Sequence, residues 1–234
     1  NRTSPFAFTG NKFEFRMVGS RDSIAPANVV LNTIVAEAFK EVCDVLENAE
    51  DVDMAVHDLI KKNFTEHQRI VFNGNGYSDE WVEEAKRRGL PNIGCMVDAV
   101  EALTSEQTIE LFEKFGVFTK AELESRKEIK YEAYSKAINI EAKTMIDVAS
   151  KQIIPAVIKY TRQLADSINA VVAAGVLEVE VQTELLRETS ALLKKTKDAL
   201  NELKKVTEEA LTKEEGKESA MFYHEKVMPS MEAL

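Results

Sequence analysis

Alternating apolar and polar residues predict one β-strand near the start of the chain. Residues 12–17 read Lys-Phe-Glu-Phe-Arg-Met, so in an extended backbone every second side chain faces the same way. The apolar face then carries Phe13, Phe15 and Met17, and the charged face carries Lys12, Glu14 and Arg16. The pattern is typical of a strand with one face on a core.

Beyond residue 26, apolar residues recur every three or four positions, which predicts helices. We expect helices over 27–48 and 53–72, then short helices over 79–88, 96–103 and 105–115. Trp81 and Phe112 are the expected core anchors of the short helices. The Asn-Gly-Asn-Gly-Tyr loop at 73–77 could present backbone amides to an anion. It lacks the Gly-Lys-Ser/Thr ending of a phosphate loop, however, so a sharp turn between helices is favoured.

The second half of the chain predicts long helices. Residues 120–174 contain Pro155 as their one strong helix breaker, which predicts a helix of about 80 Å with a kink one turn before the proline. Its expected coiled-coil seam comprises Ile146, Ala149, Ile153, Val157, Tyr160, Leu164, Ile168 and Val171. After Gly175 a second long helix turns back. One of its apolar stripes comprises Leu185, Leu192, Ala199, Leu203, Val206 and Ala210, and a neighbouring stripe comprises Leu186, Leu193 and Leu200. A third helix over 219–234, interrupted by Pro229, is expected to complete a long antiparallel three-helix bundle.

Composition narrows the class of protein. The 234 residues are 44% hydrophobic and carry a formal net charge of −10, which argues against nucleic acid or an acidic membrane as a partner. No apolar stretch is long enough to cross a bilayer, and no signal peptide is visible. Cys43 and Cys95 are far apart, so we expect two reduced, buried thiols in a cytoplasmic protein. The three histidines have no metal-ligand spacing.

The charged face of the strand has two interpretations. A carboxylate between two cations often forms a solvated ion-pair row of little energetic value. The same residues could hold a metal ion and an anionic substrate in a cleft. The second interpretation gains weight from Arg2, which precedes a Thr-Ser-Pro turn and a Thr-Gly-Asn turn, because these turns bring a further cation back beside the strand.

These residues resemble a known family. Asn1-Arg-Thr-Ser, a short loop, Lys-Phe-Glu-Phe-Arg, and a Pro-Ala-Asn stretch leading into an apolar helix are similar to the end of the catalytic domain of glutamine synthetases, the type III enzymes in particular. The specific likeness covers residues 1–38, and a looser likeness to the type III helical tail covers the rest. The chain has no initiator Met, so we expect it to be part of a longer polypeptide.

The resemblance implies a role for each charged residue. Arg2 would contact the transferring phosphate and the substrate, Glu14 would ligate an active-site Mg²⁺ or Mn²⁺, and Arg16 would bind glutamate. Lys12 stands where type I enzymes carry an arginine near the nucleotide. A second nucleotide-contacting arginine of the type I enzymes is replaced here by Ala7, which puts that contact in doubt.

The implied activity is glutamate–ammonia ligase, with glutamate, ammonium and ATP as substrates, in a cytoplasmic homo-oligomer that is a dodecamer by family resemblance. The implied fold is mainly α, with a short N-terminal β-strand remnant of an α+β catalytic domain. We expect three domains, at 1–26, 27–118 and 119–234. The isolated chain is expected to be inactive. If the resemblance is set aside, the alternative is a non-catalytic helical scaffold for oligomerisation or interaction.

Overall fold

The protein is mainly α-helical. A computed structural model describes the backbone of residues 6–8 and 13–15 and all atoms of residues 23–234. By their contacts the residues divide into two compact units, one of residues 1–98 with 105–120 and one of residues 99–104 with 121–234. The three-domain division expected from the sequence stays a prediction.

Two short strands form an antiparallel pair near the start of the chain. Strand β1 (Phe6–Phe8) pairs with β2 (Phe13–Phe15), with Phe6 opposite Phe15, Ala7 opposite Glu14 and Phe8 opposite Phe13. Strand β2 lies inside the predicted strand. Strand β1 was not predicted, because its three residues directly follow a turn signal and are too few to show a period.

The first unit contains short and medium helices close to the predicted ranges. They are α1 (Ala25–Leu46), α2 (Val52–Glu66), α3 (Asp79–Arg87) and α5 (Glu106–Lys114), and α4 (Met96–Glu101) begins in this unit. Helix α2 ends earlier than expected and is followed by a 3₁₀ turn over Gln68–Ile70.

Side-chain caps account for two of these helix starts. The Asp51 carboxylate accepts from the Met54 N–H at 3.0 Å, and the Ser105 Oγ accepts from the Thr108 N–H at 3.2 Å. Each bond satisfies an amide that the first helical turn leaves free.

The second unit contains a helical hairpin and a broken third helix. Helix α6 (Lys120–Val148) leads through a π-helical turn (Ala149–Ile153) into α7 (Ile154–Ala173), and α8 (Glu180–Ala210) returns along α7. Helix α9 (Lys217–Phe222), a second π-helical turn (Tyr223–Val227) and α10 (Met228–Ala233) follow.

Each π-helical turn lies directly before a proline. The Ile154 N–H donates to the Ala149 carbonyl, and the Met228 N–H donates to the Tyr223 carbonyl, each five residues back. Pro155 and Pro229 follow one residue later. Proline has no N–H to donate and its ring clashes with the carbonyl four residues before it, so the wider turn lets the helix continue past it. The sequence predicted a disturbance one turn before Pro155, and the π-helical turn is its observed form.

The core of the second unit joins three helical segments. Ala142 of α6 clusters with three residues of α8 and two of the second π-helical turn: Leu203, Val206, Ala210, Tyr223 and Val227. This is the three-helix packing that the apolar pattern predicted.

Along the rest of the hairpin, the predicted seam is wrong at several positions. Ile153 and Tyr160 are 51% and 44% exposed, and Leu185 and Leu192 are 40% and 60% exposed. Helix α8 instead places its other stripe, which includes Leu186 and Leu193, in less exposed positions that lead to the buried Leu200. Helix α8 has α7 beside it here and the third helix only near its end. The first part of the stripe, with Leu185 and Leu192, therefore stays uncovered, whereas its later members Leu203, Val206 and Ala210 are buried in the core.

The sequence showed no stretch long enough to cross a bilayer. None of the helices among the described residues is long and apolar enough to span a membrane.

Both cysteines are free, but Cys43 is exposed and Cys95 is half-buried, so the expectation of two buried thiols is wrong. Cys43 lies on α1, where Thr33 is the buried residue.

Candidate functional site

Of the four residues that the sequence singled out, the structure describes only the backbone of Glu14. Glu14 is the central residue of β2, with its backbone paired to Ala7 of β1. Arg2, Lys12 and Arg16 lie outside the residues that the structure describes. The grouping of these four side chains therefore stays a prediction.

The described residues contain no cluster of three or more His, Cys, Asp or Glu side chains that could hold a metal ion. The structure describes the backbone of Glu14 alone, so its role as a metal ligand stays a prediction.

A cluster of hydrogen bonds in the second unit centres on the Glu101 carboxylate. Its Oε1 accepts from the Tyr131 hydroxyl at 2.5 Å and from the Lys217 Nζ at 2.9 Å. Its Oε2 accepts from the Lys127 Nζ at 2.9 Å, and Lys127 also reaches the Thr104 Oγ1 at 3.3 Å. We call these four residues, Glu101, Lys127, Tyr131 and Lys217, the Glu101 cluster.

The electrostatics of the Glu101 cluster fix its charge. The bond from Tyr131, followed by those from Lys127 and Lys217, lowers the pKa of Glu101 to about 2. At neutral pH this carboxylate is ionised and its oxygens are engaged, so it is poorly suited to donate or accept a proton in catalysis. The cluster instead links the end of α4, helix α6 and the start of α9.

A second cluster, of Arg88 and two stacked aromatic rings, lies next to the 73–77 loop in the sequence. Arg88 donates to the Glu84 Oε1 at 2.5 Å and to the carbonyls of Arg69 at 3.1 Å and Val71 at 2.7 Å. The rings of Phe72 and Trp81 stack at 4.1 Å between centroids, and Arg88 lies 5.6 Å from the Trp81 ring. Trp81 thus anchors the turn, although it is only half-buried.

The 73–77 loop is a turn closed by its own hydrogen bonds. The Asn75 Oδ1 accepts from the Tyr77 N–H at 3.1 Å, and the Asn75 carbonyl accepts from the Ser78 N–H at 3.2 Å. A Cβ on Gly74 would lie 2.6 Å from the Phe72 ring. Two amides that an anion would need are already used, which supports the interhelical turn over the anion site.

Sequence reasoning did not find the Glu101 cluster. The Lys127–Tyr131 spacing of four residues places both on one side of a helix, and this was the available signal. Glu101 and Lys217 are distant in the sequence, and no local pattern connects them.

The comparisons with known proteins cover the whole chain. A family profile described as "Glutamine synthetase C-terminal domain" matches residues 55–172. Over 73% of its own length, the chain is 43% identical to the "Type-3 glutamine synthetase" of Dictyostelium discoideum. The matched part makes up 24% of that protein. It is 36% identical to a "Glutamine synthetase" of Butyrivibrio fibrisolvens over its entire length, 34% of that protein. A "Glutamine synthetase" of Bacteroides fragilis is 33% identical over the entire chain, 33% of that protein.

The chain thus spans about a quarter to a third of the relatives that it matches. The profile lies on the helical region, where the motif-based likeness was the looser one, and two relatives extend the similarity through the N-terminal motif. The chain therefore belongs to the glutamine synthetase family, and residues 55–172 match that family's C-terminal domain.

Proposed function

We propose that this chain is the C-terminal part of a glutamate–ammonia ligase. In the proposed reaction the γ-phosphoryl group of ATP moves to the side-chain carboxylate of glutamate, which gives γ-glutamyl phosphate and ADP. Ammonia then attacks the acyl carbon and phosphate leaves, which gives glutamine. The observation that carries the proposal is 36% identity to a glutamine synthetase over the entire chain.

The charged residues around β2 would contribute electrostatic stabilisation. The reaction brings the anions of ATP and glutamate together, and positioned guanidinium groups offset their repulsion. We assign Arg16 to the glutamate carboxylate and Arg2 to the transferring phosphoryl group, because a planar guanidinium matches both anions in a bidentate way. Lys12 is assigned to the nucleotide.

Glu14 is assigned to a divalent cation. A carboxylate oxygen is a hard ligand of the kind that Mg²⁺ and Mn²⁺ prefer, and Glu14 fits as one such ligand. A bound ion would neutralise developing charge on the phosphoryl oxygens. We propose that the other ligands come from parts of the full-length protein outside these 234 residues, so the 234-residue chain alone is expected to be inactive.

The metal assignment is testable in the full-length protein. We expect Glu14→Ala to lower turnover by about 100-fold or more at a fixed Mg²⁺ concentration, because the loss of a ligand weakens binding of the ion. Glu202→Ala, on the exposed side of α8, is the matched control and should leave turnover unchanged. Circular dichroism melting checks folding. Near-normal turnover of a folded Glu14→Ala variant would reject the assignment.

A role in assembly is the second candidate. It is favoured by the exposed stripe of α8, on which Leu185 and Leu192 are 40% and 60% exposed. Under this proposal the helical hairpin supports a homo-oligomer, a dodecamer, in the cytoplasm. Sizing of full-length protein with Leu192→Glu tests it: an unchanged oligomer with full activity would argue against this surface.

A further inference from the structure

The loop between the 3₁₀ turn and α3 contains two Asn-Gly pairs. Asn73 precedes Gly74, and Asn75 precedes Gly76. Both asparagines are exposed to solvent. Glycine has no side chain, so no Cβ shields the backbone nitrogen that follows each asparagine. An asparagine in this position can lose its side-chain amide through attack by that nitrogen, and the product is aspartate or isoaspartate.

The Asn75 side chain is folded towards the amides that follow it. Its Oδ1 accepts from the Tyr77 N–H, two residues further on, at 3.1 Å, and this arrangement is an Asx turn. The Gly76 nitrogen lies inside the ring of atoms that this hydrogen bond closes, so the turn brings the Asn75 Cγ back towards it. The two atoms that would react are therefore held on the same side before a bond forms.

The same hydrogen bond would also stabilise the charge that develops during the reaction. When a nitrogen attacks the Asn75 Cγ, negative charge builds up on Oδ1, and the Tyr77 N–H already donates to that oxygen. A donor placed in this way acts as the donors of an oxyanion hole do. No such bond to the Asn73 side chain occurs among the residues that the structure describes, so the two Asn-Gly pairs differ in structure although they share their chemistry.

We propose that Asn75 is a site of spontaneous deamidation promoted by its Asx turn. The Gly76 nitrogen gives up its proton to solvent hydroxide and forms a bond to the Asn75 Cγ. The bond from Cγ to Nδ2 then breaks, and Nδ2 takes a proton from water and leaves as ammonia, which gives a five-membered succinimide. Water adds to one of the two ring carbonyl carbons and breaks its bond to the Gly76 nitrogen, which gives aspartate or isoaspartate.

The products would change the start of α3. Both carry a new carboxylate at position 75, close in sequence to Asp79 and Glu80 in the first turn of that helix. Isoaspartate also lengthens the backbone by one methylene group. The hydrogen bond from the Ser78 N–H to the Asn75 carbonyl, now 3.2 Å long, then loses its geometry, so we expect isoaspartate to loosen the turn that leads into α3.

The test compares the two pairs within one molecule. Full-length protein is incubated at pH 8, folded or in concentrated urea, and peptides that contain residues 73–77 are analysed by chromatography and fragment-ion mass spectrometry. In the folded protein we expect Asn75 to react about fivefold or more faster than Asn73. In urea the two rates should approach each other, because the turn is lost. Asn92, which is exposed but precedes Ile93, is the control and should stay unmodified.

A variant tests the donor itself. Tyr77→Pro removes the N–H that donates to Asn75, so the Asn75 rate should fall to that of Asn73. The matched control is Ser78→Ala, which removes a 3.1 Å side-chain bond to the Asn75 carbonyl but keeps the Tyr77 N–H, and it should react like the wild type. Circular dichroism melting checks folding of both variants.

Two results in the wild type would overturn the proposal. One is an Asn75 rate no higher than the Asn73 rate in the folded protein, and the other is an Asn75 rate that rises on unfolding. Both comparisons use the wild type alone, so they hold even where Tyr77→Pro fails to fold. Because the readout is the chemical state of two side chains, the result is independent of whether the full-length protein makes glutamine.

Discussion

The Glu101 carboxylate joins three segments of the second unit through its hydrogen bonds. It accepts hydrogen bonds from Tyr131, Lys127 and Lys217, and Tyr131 is fully buried. The Glu101 side chain is still 39% exposed, so solvent screens part of its interaction with the two lysines. The cluster should therefore contribute modestly to stability and mainly fix where α9 begins.

We expect this contribution to depend on pH. The pKa of Glu101 is lowered from 4.5 to about 2 by its partners, so its stabilisation is present above about pH 4.5 and is lost as the pH falls towards 2. The pKa of Glu84 is lowered to about 2 as well, first by Arg87 and then by Arg88, which adds a loss in the same window.

The substitution Glu101→Gln tests the residue directly. At pH 7 it should lower the free energy of unfolding by about 1 kcal/mol, because Lys127 and Lys217 lose their anionic partner in a partly exposed site. Urea unfolding at pH 7 and pH 2.5 measures it, and the difference from the wild type should shrink at the lower pH. Glu202→Gln is the control. A difference that grows on acidification would contradict the assigned role.

Gly216 is a second residue with a specific requirement. Its φ is +95°, and a Cβ there would lie 2.9 Å from the Glu128 Oε2. Gly216→Ala should cost about 1 kcal/mol or more, since an L side chain disfavours this backbone. Gly94→Ala is the matched control, because nothing lies within 4 Å of its Cβ position. Equal melting temperatures for the two variants would show that the turn between α8 and α9 tolerates a side chain at position 216.

At the scale of the elements, the hairpin of α7 and α8 separates two leucines that the sequence treats alike. Leu200 is 1% exposed and Leu192, two helical turns earlier on α8, is 60% exposed. Leu200→Ala should cost about 3 kcal/mol through lost burial and a cavity, whereas Leu192→Ala should cost less than about 0.5 kcal/mol. Chemical unfolding of the 234-residue chain compares them. Similar losses would mean that Leu192 is packed as well, contrary to its exposed position in the structure.

Elements with a regular pattern could be predicted closely, and the exceptions have physical reasons. The existence of α1, α3, α5 and the two long helices follows from apolar spacing and caps. How much of each apolar stripe of α8 is covered could not be predicted, because it depends on how far the third helix extends along α8. The π-helical turns before Pro155 and Pro229 were predictable as disturbances, but their hydrogen-bond pattern was not.

At the scale of the whole molecule, family and fold class could be predicted from the sequence, whereas the site stays a prediction. The Lys-Phe-Glu-Phe-Arg motif indicated the family that the relatives then showed. Its spacing predicted a strand, and Glu14 lies at the centre of β2. The positions of the Arg2, Lys12 and Arg16 side chains could not be predicted, since they depend on tertiary contacts that the alternating pattern of a strand does not encode.

The central claim is that the charged residues around β2 serve a glutamate–ammonia ligase. We would measure glutamine formation from glutamate, ammonium, ATP and Mg²⁺ by the full-length protein, beside Arg16→Ala and the control Arg162→Ala on α7, whose side chain is 83% exposed. The account predicts activity in the wild type and the control and a loss of about 100-fold or more in Arg16→Ala, because an ionic contact to the substrate is removed. Unchanged activity in a folded Arg16→Ala protein, or no glutamine from the wild type, would contradict it.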